Sequence, residues 1–333
     1  MKKSTKNRLD NVLMWLRILE DRNFNTIEAL GAFIPTMDHM DNITIKNKDA
    51  KHILLAHYDV VGIFVTHKDE DGLKFDTIGT SVAQLADKTF VNQRTGKEAN
   101  VVLNSAHLRD GHEEVKITEL TLLSEDAEVG DFLVYKPYSL KIGDTLIRPY
   151  LDNNISVALA LAFGDKAEVV LTSQEEVGCS GAKGVKLSDG IKDVLVLDSA
   201  FDVDSVGLDD ALITKRYHSG LKLKGGDGLV LGVNGRCTKS LVEELKEELS
   251  ENDIKHQLLV TNIVAPTDIE ELQTRFVDKR FGFIGIPAKG LHGARENIRI
   301  SDLIEAIKLL EAVLCWTSLI NNRLNYNKGN ICL

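Results

Sequence analysis

Ile53-Leu54-Leu55-Ala56-His57-Tyr58-Asp59 opens as a continuous apolar run and closes on two ionisable side chains. An apolar run of this length without alternation reads as a parallel strand buried on both faces. The same shape recurs downstream. The runs 167–172, 194–197 and 281–286 are apolar, and each leads into polar residues: Glu175-Glu176 after the first, Asp198 directly after the second, and a Gly-rich loop with His292 after the third. In open α/β sheets, ligands bind outside the carboxyl ends of the strands. These residues are therefore expected at one sheet edge, around one site.

Helical patterns lie between and around the strands. Leu9, Val12, Leu13, Leu16 and Leu19 give helical spacing over residues 9–22. Further helices are expected at 153–163, at 240–251 and at 300–319, the last with Ser301 as N-cap. Ile43-Thr44-Ile45 and residues 258–264 read as additional strands, and 229–231 as an apolar run of either type. Between 62 and 145 the character changes. Segments 62–66, 88–92, 115–122 and 132–135 alternate, separated by turn signals at Asp71-Gly72, Thr95-Gly96, Asp110-Gly111 and Gly130-Asp131. The expected fold is α/β, a mixed, mostly parallel sheet with helices on both faces, carrying an inserted small β-barrel-like domain. Residues 1–61 and 146–333 would form the catalytic domain and 62–145 the insert.

Composition fits this layout. The chain has 333 residues, 43% hydrophobic and 27% charged, with five prolines and 25 glycines. That excludes a low-complexity or collagen-like chain and is long enough for two cores. The net charge is −10, and the only basic cluster is Lys2-Lys3 with Lys6 and Arg8, so nucleic acid is not an expected partner. No stretch reaches the roughly 18 apolar residues of a membrane span. The four cysteines (Cys179, Cys237, Cys315, Cys332) form no CxxC pair and read as reduced thiols of a cytoplasmic protein.

The residue types at the strand ends suit a divalent metal. Imidazole nitrogen and carboxylate oxygen are the usual non-thiolate ligands of zinc. Two ions about 3.5–4 Å apart need a bridging carboxylate, and Asp152, at the entry to helix 153–163, is placed for that. The pair Glu175-Glu176 allows one carboxylate to bind metal while its neighbour takes a proton from water. Singly, each residue has a structural reading, as a cap, a turn residue or a hydrogen-bonded core histidine. Their common placement separates them from His107 and His112, read as surface residues, and from His39, His52, His67, His218 and His256.

Ala56-His57-Tyr58-Asp59-Val60-Val61-Gly62 resembles the AHxDxxG segment of co-catalytic zinc aminopeptidases. Gly130-Asp131-Phe132, Leu151-Asp152-Asn153, Gln174-Glu175-Glu176-Val177-Gly178, Thr267-Asp268 and Gly285-Ile286-Pro287 followed by His292 extend the resemblance, in order, from about Asp41 to Leu314. They point to the tetrahedral aminopeptidase family, which includes glutamyl and deblocking aminopeptidases. The 95 positions between His57 and Asp152 agree with a family that inserts a β-rich module there. The resemblance implies two metal ions per subunit, zinc first, with cobalt or manganese as alternatives. His57 and Asp198 would hold one, Glu176 and His292 the other, with Asp152 bridging. It further implies Glu175 as general base, Asp59 as the support of the His57 imidazole, and Thr267 and Asp268 as substrate contacts. Short peptides would be the substrates, and a homo-oligomer, up to a dodecamer, the assembly. Two departures are visible: Asn153-Asn154 follow Asp152 where the family commonly has Arg, and Pro266 precedes Thr267 where it has Gly.

Two other readings stay open from the residues. The same metal chemistry would serve an amidohydrolase or deacylase acting on a small acylated amine, since pocket side chains rather than ligands set specificity. A non-catalytic shell subunit would keep the fold but has no need of an intact Glu175.

Overall fold

The computed structural model describes residues 1–21, 35–70, 72–108, 115–202, 223–260 and 267–314. His112, His218, Pro266, Cys315, Cys332, the Asp110-Gly111 turn and the tail from Asn321 lie outside them. Most of the described chain forms a mixed sheet with helices against it, and the segment after His57 forms a separate closed barrel.

The sheet is parallel at its centre. Strands β3 (His52–His57), β12 (Glu168–Thr172), β13 (Asp193–Phe201) and β16 (Arg280–Lys289) run side by side in the order β12-β3-β13-β16. On one flank, β2 (Ile43–Ile45) pairs antiparallel with β12, and β1 (Thr36–Met37) with β2. On the other, β17 (Asn297–Arg299), β11 (Thr145–Ile147) and β10 (Leu140–Ile142) continue antiparallel. A branch carries β14 (Leu229–Gly232), which pairs with β16, and β15 (His256–Leu259).

The continuous apolar runs divide by parity. Leu54, Ala56, Val169, Leu171, Leu195, Leu197, Ile284 and Ile286 join one core with helices α1 (Lys3–Asp21), α3 (Leu151–Ala162), α4 (Lys239–Glu251) and α6 (Ile300–Leu314). Their neighbours Ile53, Leu55, Val170, Val194, Val196 and Phe281 face the opposite core, with α5 (Ile269–Arg275). Both faces are covered, which is why no alternation shows in the sequence. Each side chain so buried contributes roughly 1.5–3 kcal/mol.

The barrel closes in the order β4-β5-β8-β7-β6-β9. Its strands are β4 (Gly62–Asp69), β5 (Gly72–Ile78), β6 (Lys88–Asn92), β7 (Glu98–Leu108), β8 (Val115–Leu123) and β9 (Phe132–Tyr135). A short helix, α2 (Val82–Leu85), bridges β5 and β6. The interior holds Ile63, Val65, Leu85, Phe90, Val101 and Leu133. At its end, Asp131 accepts hydrogen bonds from Arg94 Nε (2.7 Å), Asn92 Nδ2 (2.7 Å) and the Glu128 backbone N–H (2.9 Å).

Several boundaries differ from expectation. β13 does not end before Asp198 but runs to Phe201, and α1 begins at Lys3. The run 229–231 is a strand. Ser301 is not an N-cap. It sits inside the first turn of α6, and Asp144 instead accepts from its N–H (3.1 Å) and its hydroxyl (2.7 Å). Arg8 is spoken for: it binds Asp165 at 2.8 and 3.0 Å and lies 4.6 Å over the Phe163 ring. No helix among the described residues is long and apolar enough to cross a membrane.

Candidate active site

The register shows where the sheet opens. β3 pairs with β12 through to His57↔Thr172, but its pairing with β13 stops at Leu55↔Val196. β13 continues with β16 to Phe201↔Ala288. Two parallel strands thus part company one residue before Ala56 and Leu197, and His57 and Asp198 stand in the gap.

Three segments deliver the other groups. The turn after β12 carries Glu175 and Glu176, with Gln174 at φ 57° and Cys179 at φ 55° bending it back. Tyr150, at φ 62°, precedes Asp152 on the entry to α3, where Asp152 and Asn153 have not yet adopted helical dihedrals. The Asn153 side chain donates to the Leu197 carbonyl at 3.0 Å, which pins this entry to β13. The loop after β16 presents His292, itself at φ 63°.

Asp152 is the centre of the cluster. His57 Nε2 lies 3.2 Å from Asp152 Oδ1 and 3.5 Å from Asp198 Oδ1. His292 Nε2 lies 3.3 Å from Asp152 Oδ2 and 3.6 Å from Glu176 Oε2. The result is two donor triads, His57-Asp152-Asp198 and Asp152-Glu176-His292, whose ligand atoms lie within 4.8 Å of one another and which share one carboxylate. A third grouping, His57-Glu175-Glu176, meets the same criterion. Glu175 Oε2, however, is 4.0 Å from His57 Nε2, farther than either Asp. Its Oε1 turns away to accept a hydrogen bond from Cys179 Sγ at 3.8 Å.

Asp59 ties the cluster together. Its Oδ1 accepts from the Glu175 N–H (3.1 Å) and lies 3.4 Å from His57 Nδ1, while Oδ2 accepts from the Glu176 N–H (3.0 Å). One carboxylate therefore sets both the imidazole and the Glu-Glu turn. Thr267 and Asp268 lie at the start of α5 and are 5% and 2% exposed. Thr172, at the end of β12, donates to Asp268 Oδ2, and Asp268 Oδ1 and Thr267 Oγ1 have no hydrogen-bond partner among the described residues. Burial pushes the Asp268 carboxyl up to about 7.

The electrostatics are those of a pocket with too much negative charge. Burial pushes Glu175 up to about 9, with relief from His57 outweighed by repulsion from Asp198, Glu176 and Asp152. Burial lifts Glu176 to about 8 despite the attraction of His292. Asp198 is raised by burial too. Asp152 alone goes the other way: burial is overcome by its hydrogen bonds to His292 and His57. Burial opposes the His292 imidazolium, yet Asp152 and Glu176 raise it to about 10. His57 is likewise raised, against burial, by Glu175, Asp152, Asp198 and Asp59.

These residues fit divalent cations. The donors are imidazoles and carboxylates, the excess of buried carboxylate is what positive charge would relieve, and Glu176 Oε1 is buried without a hydrogen-bond partner among the described residues. His292, 31% exposed at its side chain, is the most open member.

The sequence reading passed over Glu296. Fully buried, it accepts from the backbone N–H of Asp152 and of His292, both at 2.8 Å. A carboxylate four residues after His292 was the available signal. Thr80, Gln84 and Tyr135, which touch the same loop from the barrel, carried none.

Fold and cluster together describe an α/β scaffold with imidazoles and carboxylates that could hold metal ions gathered at the sheet's carboxyl edge. Residues 41–309 match the M42 glutamyl aminopeptidase family, and the chain belongs to it. A curated sequence from Acetivibrio thermocellus is 27% identical over 293 residues, 81% of this chain and 84% of its own length. Among solved structures, a TET aminopeptidase from a marine sediment Thaumarchaeota archaeon superposes with a TM-score of 0.75 at 20% identity, over 91% of this chain and 96% of that one. The aminopeptidase APDkam598 from Desulfurococcus kamchatkensis gives 0.73 at 21% identity, over 94% and 95%. The Pyrococcus horikoshii TET1 peptidase, which can assemble into a tetrahedron or a large octahedral shell, gives 0.67 at 21%, over 87% and 92%.

Proposed function

We propose that this chain is a two-metal aminopeptidase that removes N-terminal residues from short peptides. The observation that carries the reading is the division of Asp152, whose two oxygens each face a different imidazole, 3.2 and 3.3 Å away. His57 and Asp198 would hold one cation, Glu176 and His292 the other, with Asp152 shared. Cations held here would supply Lewis acidity toward water and the scissile carbonyl.

Glu175 is the group left to move protons. Its Oε2 faces the cluster, and burial favours a carboxyl that can hold a proton there. It takes a proton from the attacking water as the water oxygen bonds to the carbonyl carbon. It then delivers that proton to the leaving amine nitrogen as the C–N bond breaks. Asp59 keeps the His57 ring and the Glu175-Glu176 turn in register. Thr267 and Asp268 bind the substrate, with Asp268 held by Thr172. The insert 62–145 serves assembly and substrate access. The protein works as a homo-oligomer, up to twelve subunits, in the cytoplasm, where its free Cys179 and Cys237 stay reduced.

The test is a panel of aminoacyl-anilides, acyl-amino compounds and short peptides, assayed with zinc, cobalt and manganese, with metal content and particle size measured in parallel. Release of N-terminal residues with two cations bound per chain supports the proposal. Cleavage confined to acyl-amines moves the chain to the amidohydrolases, and fewer than one cation per chain, with no turnover, makes it a shell subunit.

A further inference from the structure

We propose that the inserted barrel completes one half of the metal site, with Thr80 and Gln84 as positioning residues for His292. The inference rests on the two-cation reading above.

His292 sits at φ 63°, a left-handed conformation that a non-glycine residue keeps only when its surroundings hold it. The main sheet's own loop supplies one restraint, the Glu296 carboxylate on the His292 N–H at 2.8 Å. The opposing restraints come from the barrel. Thr80 Oγ1 donates to the His292 carbonyl at 2.8 Å. Tyr135 OH lies 3.1 Å from Thr80 Oγ1 and 3.4 Å from the same carbonyl. Since the Thr80 hydroxyl has one proton, spent on His292, Tyr135 is the donor within that pair.

One residue earlier, Gln84 Nε2 donates to the Leu291 carbonyl at 3.0 Å. The Gln84 amide is held for this: its Oε1 accepts from the Ser81 N–H at 3.1 Å. The contact extends to the other ligand of the same cation. A Cβ placed on Gly79, at φ 66°, would come 2.6 Å from Glu176 Oε2, so the barrel backbone lies directly against that carboxylate. The stretch 79–84 therefore touches both Glu176 and the His292 loop. Thr80 and Tyr135 are buried, 7% and 1% exposed, so water does not substitute readily for these bonds. His57 and Asp198 have no such contact from the barrel among the bonds described. The asymmetry predicts that the barrel governs one cation subsite and not the other.

The experiment titrates Co²⁺ into metal-free wild type, Thr80→Val, Thr80→Ser and Gln84→Leu, following stoichiometry and affinity by calorimetry and elemental analysis, with the thermal midpoint of each metal-free protein alongside. Wild type is expected to take two equivalents. Thr80→Val should keep one at wild-type affinity and bind the other about 10–100-fold more weakly, the range for loss of a partner that orients a ligand. Thr80→Ser, which keeps the hydroxyl, should restore it. Gln84→Leu should weaken the same equivalent and serves alone if Thr80→Val does not fold. Wild-type binding of both equivalents by Thr80→Val and Gln84→Leu overturns the inference and leaves the two-cation reading standing. Equal weakening of both equivalents, or no difference between Thr80→Val and Thr80→Ser, also overturns it. Wild type that takes fewer than two equivalents removes both.

Discussion

Glu296 accepts a hydrogen bond from the backbone N–H of Asp152 at 2.8 Å across 144 positions of chain. Its other oxygen takes the His292 N–H, so one buried carboxylate fixes the distance between the shared aspartate and an imidazole. Glu296→Ala would leave two buried N–H groups without partners, at a cost of about 1–3 kcal/mol each. The expected outcome is a destabilised metal-free protein with weakened cation binding, read by urea unfolding in chelator and by metal titration. A variant with unchanged unfolding and metal content would show that the loop is held by other means.

Glu175 separates binding from turnover. Glu175→Gln keeps the shape and removes the proton carrier, so turnover should fall about 10²–10⁴-fold. Cation content should stay at the wild-type level, because Glu175 belongs to neither triad that shares Asp152. Elemental analysis beside steady-state assays checks this, and near-normal turnover would remove Glu175 from the proposed role.

Asp59 should act on both halves of the site and the barrel on one. Asp59 lies 3.4 Å from His57 Nδ1 and anchors the Glu175 and Glu176 N–H groups. Asp59→Asn should weaken the cation at His57 and Asp198 by about 10–100-fold and lower turnover with it. In a metal titration the equivalent at Glu176 and His292 should weaken as well, through the Glu176 N–H, whereas Thr80→Val should weaken that equivalent alone, and an unchanged second equivalent in Asp59→Asn would show that its hold on Glu176 is dispensable.

The barrel has its own acid limit. The Arg94 hydrogen bonds hold the Asp131 carboxyl well below the usual carboxylate range, against the opposing effect of burial. A folded pKa below the unfolded value of about 3.9 means stability that is fully present above that value and lost as pH falls through and below it. Asp131→Asn should therefore cost stability at pH 7, by an amount that solvent screening at the half-exposed Arg94 keeps small. The gap from wild type should narrow as pH drops below about 4. Urea midpoints across that window decide it, and a gap constant with pH would argue against the ionic contribution.

Legibility in the sequence followed burial. β3, β12, β13 and β16 were readable because both their faces are covered, and their ends led straight to His57, Glu175-Glu176, Asp198 and His292. β5 was not, since every residue of Gly72–Ile78 is half-buried or exposed and no alternation survives. The seven-residue α5 is too short to show a period. Ser301 misled because Asp144, distant in sequence, supplies the oxygen that a local cap would have. Glu296 was marked only by its spacing from His292, and Thr80 and Gln84 bind backbone groups at the site, partners that no residue type in the sequence marks.

The order in which the site's members occur has a consequence for synthesis. His57 lies on the third strand, Asp152 follows the whole barrel, and His292 with its holder Glu296 come after every other member. A nascent chain that has emerged only through Asp198 carries one donor triad and Glu175 but lacks His292, the imidazole of the other triad. The contacts of His57 with Asp152 and Asp198, and of His292 with Asp152 and Glu176, span scores of residues, so none of these can form locally as the ribosome advances. On the two-cation reading, a chain assembled this way would complete its second cation site only once β16 and the loop after it are out and docked.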